Sequence, residues 1–269
     1  MASFESKILT DHSYEGIMNE VLPLVRKAGE IAIRMWQTSR NESTFKTDGS
    51  PVTSADIAIE KLLRNGINRL YPYDGIMGEE GSFIKTRSGR VWNIDPIDGT
   101  IQFMRGQDFW AILLALDDFR VGRVGIISFP ARNELIYASR NNGCWEENRN
   151  GRSKLQVSGV SDLSEGYVLH NGLSFAQQAN KVENLKNIVT RAYAERGYAD
   201  AFGHAEVIRG NSDVMIDFLT EYHDIAAIRV AVIEAGGKWS SLDGTQDLSS
   251  KGSITSNGIL HAEALSYFA

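Results

Sequence analysis

The chain has 269 residues, 42% hydrophobic and 23% charged, with a formal net charge of −6. That length supports a substantial core in one large domain or two intimate lobes, and the acidic balance argues against nucleic acid, whose phosphates call for a basic face. A single cysteine, Cys144, excludes an internal disulfide and a cysteine metal cluster and fits a reducing compartment. The start, Met1 to Asp11, lacks the basic-then-apolar pattern of a signal peptide, and no apolar run reaches the roughly 18 residues of a membrane span. A cytoplasmic protein without a membrane partner is expected, and the sequon-like Asn41-Glu42-Ser43 then carries no glycan.

Helical spacing of Ile17, Val21, Leu24, Val25, Ala28, Ile31, Ala32 and Met35 predicts a helix over Tyr14–Trp36, with Pro23 as a kink or a late start. The polar stretch Gln37 to Pro51 reads as a loop or loose hairpin. Ser54 or Asp56 is placed to cap a second helix through Ile57, Leu62, Leu63, Ile67 and Leu70, which Tyr71-Pro72-Tyr73-Asp74-Gly75 ends. Strands follow at Val91–Ile94, Trp110–Leu116, Val121–Phe129, Glu134–Ser139 and Cys144–Glu147, with turns at Asp117-Asp118 and Asn141-Asn142-Gly143. The second half alternates: a strand at Gly166–His170, mainly helix over Ser174–Arg196, a helix at Asp200–Gly210, a strand at Val214–Phe218, a helix at His223–Ala235 and a strand at Lys238–Leu242. This order predicts a layered α/β (α+β) sandwich. An N-terminal lobe of residues 1–150 and a C-terminal lobe of residues 151–269 would meet in the polar run from Asn148 to Ser153.

The sharpest local pattern is Trp92-Asn93-Ile94-Asp95-Pro96-Ile97-Asp98-Gly99-Thr100, an apolar strand running into two aspartates three residues apart. Pro96 fixes φ between them and Gly99 permits a tight turn. Carboxylates at a strand end suit a hard cation such as Mg²⁺, and N–H groups at Gly99 and Thr100 suit a phosphate. Gly78-Glu79-Glu80-Gly81, Asp224 ahead of an apolar helix, and Lys46 to Asp56 complete the set. Taken singly, these three read equally well as a solvated turn and as helix caps.

In this order, the pieces resemble the inositol monophosphatase superfamily of metal-dependent phosphatases, from the first helix to Glu234-Ala235-Gly236-Gly237. The resemblance implies the αβαβα sandwich of the inositol monophosphatase/fructose-bisphosphatase type. It implies two tight Mg²⁺ ions held by Glu79, Asp95, Asp98, Asp224 and the main-chain carbonyl of Ile97, and a weaker third at Glu79 with Asp56 nearby. Lys46 and Thr53 match outer positions of that third site. Gly99 and Thr100 match the phosphate-binding segment, Glu79 and Thr100 the pair that orients the attacking water, and Asp98 the acids that share the clamping ions. A homodimer is implied as well.

For the substrate, Asp217 matches the family's hydroxyl-binding acid. Arg196-Gly197-Tyr198-Ala199-Asp200, Gly203-His204 and Phe103-Met104-Arg105-Gly106 are similar to the histidinol-phosphatase branch, in which Asp200 and Asp217 would face an ammonium group. Histidinol phosphate, as a step of histidine biosynthesis, is therefore the favoured small-molecule phosphate monoester. Inositol monophosphate, another sugar or nucleotide phosphate, and a non-catalytic metal- or phosphate-binding relative are the alternatives. His223 departs from the tryptophan common there in inositol phosphatases, and reads as a surface or supporting residue, as His204 reads as a packed one. A zinc hydrolase is disfavoured because no His-Glu-x-x-His occurs, and a deaminase because His204-Ala205-Glu206 is followed by no Pro-Cys-x-x-Cys.

Overall fold

The computed structural model describes residues 13–38, 43–45, 51–198, 200–247 and 249–268. The chain runs α1 (Tyr14–Thr38), β1 (Ser43–Phe45), β2 (Pro51–Thr53), α2 (Ser54–Leu70), β3 (Gly75–Gly78), β4 (Arg90–Asp98), α3 (Thr100–Arg105), β5 (Ala111–Asp118), β6 (Val121–Phe129), β7 (Glu134–Ser139), β8 (Cys144–Asn148), β9 (Gly151–Leu155), β10 (Tyr167–His170), α4 (Leu173–Gln178), α5 (Val182–Arg191), β11 (Ala194–Gly197), α6 (Asp200–Ile208), β12 (Val214–Asp217), α7 (Tyr222–Glu234), β13 (Lys238–Ser241), β14 (Ser253–Ser256) and α8 (His261–Ser266). Strands β3 to β9 form one sheet in sequence order, antiparallel except for the β3/β4 pair. A second sheet has the order β11-β10-β12-β14-β13, and β1 pairs with β2 as a separate hairpin.

Strand alternation builds the layers. In β5, Ile112, Leu114 and Leu116 face a core shared with α1 and α2, while Ala111, Leu113 and Ala115 face a second core shared with α6 and α7. In β12, Met215 joins that second core, and Val214 and Ile216 face a third, covered by α4, α5 and α8. Five layers result, αβαβα, with α6 and α7 between the sheets. Helix α7 is buried all round from Ile225 to Val232, apolar there except for Arg229, as a helix packed on both sides must be. It approaches the first sheet closely because Gly125 has no side chain: a Cβ there would collide with the Ala227 carbonyl oxygen.

Several expected boundaries move. Helix α1 runs unbroken through Pro23. Thr53, rather than Ser54 or Asp56, caps α2, and Asp56 is the reciprocal acid of the capping box. The β5–β6 turn lies at Phe119-Arg120, both at positive φ (47° and 67°). Asp117 is buried instead, receiving hydrogen bonds from Tyr222 and Arg229. The polar run Asn148 to Ser153 turns β8 into β9, and the chain leaves the first sheet only after Leu155. The helix expected through Arg196 ends at Arg191, because Ala194–Gly197 pairs in parallel with β10 as an edge strand. Among the described residues no helix is long and apolar enough to cross a membrane.

His261 is buried at the start of α8, its Nδ1 2.9 Å from Ser256 Oγ and its Nε2 3.0 Å from Ser240 Oγ. Burial, with nearby Lys238 adding to it, lowers its pKa to about 4. An unfolded imidazole takes its proton near pH 6.5, so between those values acid favours the unfolded state. His261→Gln is expected to flatten the loss of thermal stability between about pH 6.5 and 4 relative to the unsubstituted chain, in melts across that range. Gly125→Ala should cost about 1–3 kcal/mol in denaturant unfolding, since neither the sheet nor the helix backbone can yield cheaply.

Candidate active site

An unbroken strand sends residues three apart to opposite faces. The β4–β5 register shifts between Asp95 and Asp98, where Pro96 has no N–H to pair, and this bulge re-aims the strand so that both acids line one cavity. Gly99 then turns the chain at φ 82° into α3. The cavity holds about 160 Å³ and is lined by Glu79, Asp95, Ile97, Asp98, Gly99, Thr100, Asn171, Phe175, Asp200, Asp217, Leu219 and Asp224.

Each acid is fixed by its own element. Glu79 follows β3, its N–H donating to the Ile94 carbonyl at 3.2 Å. Its turn is braced by the buried Glu60 of α2, which accepts the Glu80 N–H at 2.8 Å and meets Arg64 at 2.5 Å. Asp98 accepts the Ala201 N–H of α6 at 2.7 Å. Asp224 is the third residue of α7 and accepts the Glu221 N–H at 2.7 Å. The cap of α7 is thus Glu221, and Asp224 closes its capping box. Asp200 opens α6 at φ 59°, held by Gln102 Nε2 at 2.9 Å. Asp217 ends β12, with Asn171 Nδ2 donating at 2.5 Å, while His204 Nε2 stands 3.7 Å away, beyond hydrogen-bond reach. The Ile97 carbonyl accepts the Thr100 hydroxyl at 3.2 Å.

Two groups of side chains bring ligand atoms within 4.8 Å of one another: Asp95 with Asp98 and Asp224, and Glu79 with Asp95 and His223. That spacing suits oxygens arranged about a divalent cation. A fit is also indicated by Asp95, which is 2% exposed and whose Oδ1 has no hydrogen-bond partner. Burial, then the charges of Asp98, Glu79 and Asp224, pushes the Asp95 carboxyl well above the usual range. Burial and the charges of Asp200 and Asp224 do the same to Asp98. Burial raises Asp224 to about 6, and burial with Asp217 and Asp224 raises Asp200 to about 7.

Asp56 does not line the cavity. It is buried, takes the Thr53 N–H and hydroxyl on Oδ2 at 2.8 and 2.5 Å, and leaves Oδ1 without a partner. Burial raises it to about 6, with the charges of Glu79 and Glu80 adding to the shift, so it belongs to the same electrostatic neighbourhood. Lys46 lies outside the described residues. Phe175 and Leu219 line the cavity without having been singled out in the sequence; neither sits in a motif. His204 is a buried helix residue bound to Thr255 Oγ1 at 2.8 Å, while His223 is drawn into the acidic group.

The profile of the inositol monophosphatase family matches residues 15–269. A histidinol-phosphatase of Mycobacterium tuberculosis is 35% identical over 82% of this chain and 85% of its own length. One from Chlorobaculum parvum is 32% identical over 89% and 91%. Among solved structures, an IMPase of Thermotoga maritima superposes with a TM-score of 0.80 at 29% identity, covering 91% of this chain and 94% of that one.

Removing one of several mutually repelling buried charges should stabilise the metal-free fold. Asp95→Asn is expected to raise the melting temperature in EDTA by at least about 2–4 °C, the shift that about 1 kcal/mol gives at this size. The same substitution should abolish the further rise that added Mg²⁺ gives the unsubstituted chain.

Proposed function

The chain belongs to the inositol monophosphatase family, and we propose that it is a Mg²⁺-dependent hydrolase of a small phosphate monoester, histidinol phosphate being the favoured substrate. The observation that carries the metal-dependent reading is the buried acid cluster with the partnerless Asp95 oxygen at its centre. Hard carboxylate oxygens suit Mg²⁺. Asp95, Asp98 and Asp224 would hold one ion, and Glu79, Asp95 and the Ile97 carbonyl a second. Asp56 stands near a weaker third position, and Thr53 supports Asp56 there.

When bound, such ions neutralise the phosphate dianion, acidify a water and stabilise the departing alkoxide. The chain's own residues do the positioning. Gly99 and Thr100 present main-chain N–H groups to the phosphate oxygens. The Glu79 carboxylate and the Thr100 hydroxyl orient the attacking water, the glutamate accepting its proton. Asp98, tied to the Ala201 N–H, keeps its orientation while charge moves across the cavity.

The substrate reading is supported by negative charge beyond what the ions need. Asp200 and Asp217 line the cavity as well, and an amino-alcohol phosphate offers them an ammonium group. The two histidinol-phosphatases agree with this reading. Inositol monophosphate is the second reading, because the same two carboxylates would accept hydrogen bonds from ring hydroxyls. We read the protein as a cytoplasmic homodimer, which sedimentation of the purified chain would check.

Phosphate release at fixed Mg²⁺ from histidinol phosphate, inositol 1-phosphate and fructose 1,6-bisphosphate tests the assignment, with an EDTA control. Histidinol phosphate should give the highest kcat/KM, and Asp95→Asn should abolish release from all three. Asp217→Asn should raise KM for histidinol phosphate about tenfold or more, the scale of a lost charge-assisted hydrogen bond, and should leave a deaminated analogue little changed. Preference for inositol 1-phosphate would replace the substrate and keep the metal chemistry.

A further inference from the structure

The two candidate ligand groups differ in chemistry, and one of them reaches past the cavity lining to His223. Asp95, Asp98 and Asp224 offer oxygen alone, whereas Glu79 and Asp95 are joined by an imidazole nitrogen of His223, with the ligand atoms of each group within 4.8 Å of one another. His223 is the second residue of α7, so the helix that places Asp224 also sets the imidazole. The ring is largely covered, its side chain 22% exposed, and Nε2 lies 3.2 Å from Asp224 Oδ1. Asp95 belongs to both groups, and its buried Oδ1 has no hydrogen-bond partner.

We propose that His223 supplies a nitrogen ligand to the cation held by Glu79 and Asp95, which makes the two adjoining cation positions chemically unequal. This rests on the metal-dependent reading above and adds a ligand to it. A position that combines imidazole with carboxylates favours Mn²⁺ and later first-row ions over Mg²⁺, because Mg²⁺ gains little from a nitrogen donor. The all-oxygen position, formed by Asp95, Asp98 and Asp224, keeps the ordinary preference for a hard ion. In the neutral imidazole one nitrogen is free to donate its lone pair to the ion, and the other carries the proton. The protein would then hold a tighter Mn²⁺ beside a more readily exchanged Mg²⁺.

The test uses the full chain stripped with chelator and loaded with Mn²⁺. Pulsed electron paramagnetic resonance should show nuclear modulation from a directly bound nitrogen. It should vanish in His223→Gln and persist in a His204→Gln control. Titration should show Mn²⁺ affinity at one position falling at least about tenfold in His223→Gln, a loss on the scale that even outer partners of a metal produce. Mg²⁺ affinity should change much less. Thermal melts of the variant in EDTA separate a folding defect from a binding one, and the spectrum of the unsubstituted chain decides on its own. No bound-nitrogen signal with both positions filled, a signal that survives in His223→Gln, or equal weakening of both ions would overturn the proposal. Failure of the chain to bind Mn²⁺ at all would overturn it together with the metal-dependent reading.

Discussion

Carboxylates withdrawn from water repel one another with little to screen them. Six of them, Glu79, Asp95, Asp98, Asp200, Asp217 and Asp224, line a single cavity, and the surrounding fold is fastened so as to hold them there. The fastening follows one pattern. Asp98 binds the Ala201 N–H through Oδ2, Asp224 the Glu221 N–H through Oδ2, and Asp217 the Asn171 amide through Oδ1. In each case one oxygen anchors the acid to the chain, while the direction of the side chain stays fixed. Two capping boxes, at α2 and α7, use acids of this neighbourhood as their third residues, so beginning a helix and orienting a charge are the same event.

The acids come from both sheets, so their spacing depends on how the sheets are joined. Helix α7 makes the join. Gly125 lets it close on β6, and the buried Asp117 of β5 receives hydrogen bonds from Tyr222 and Arg229 at two levels of the helix. Tyr222 stands two residues before Asp224, so this contact carries the position of the first sheet to the end of α7. The Asp98–Ala201 bond adds a direct tie between β4 and α6.

What was legible in the sequence was whatever a short run of residues spells out. Asp95-Pro96-Ile97-Asp98-Gly99-Thr100 holds two acids, the residue that breaks the ladder and the residue that turns the chain, all within six residues. Asp217 and Asp224 were legible only through the order of the pieces, because alone each reads as a strand end or a cap. Asp224 turns out to close a capping box and to line the cavity, so a place at the helix start and a place in the cavity do not exclude each other. Phe175 and Leu219 carried no signal, since a side chain brought in from another element leaves no mark on its neighbours. Strand β11, Ala-Glu-Arg-Gly, has no β-branched or aromatic residue, and β14, Ser-Ile-Thr-Ser, has only two β-branched residues between serines, too short a run to mark a strand. Backbone pairing to a neighbouring strand makes them strands. Asp117 misled for the opposite reason: a residue at home in turns was recruited as a buried acceptor.

The cavity's size has a consequence of its own. About 160 Å³ is well under the roughly 300–1,000 Å³ typical of ligand pockets, so the interior has room for a small group only. The remainder of any substrate must stand in the mouth, against whichever side chains α4 and the β12–α7 connection present. The carboxylates of the floor and the side chains of the rim therefore come from separate parts of the chain. A change confined to the rim would alter what can stand in the mouth while leaving the charge below it in place.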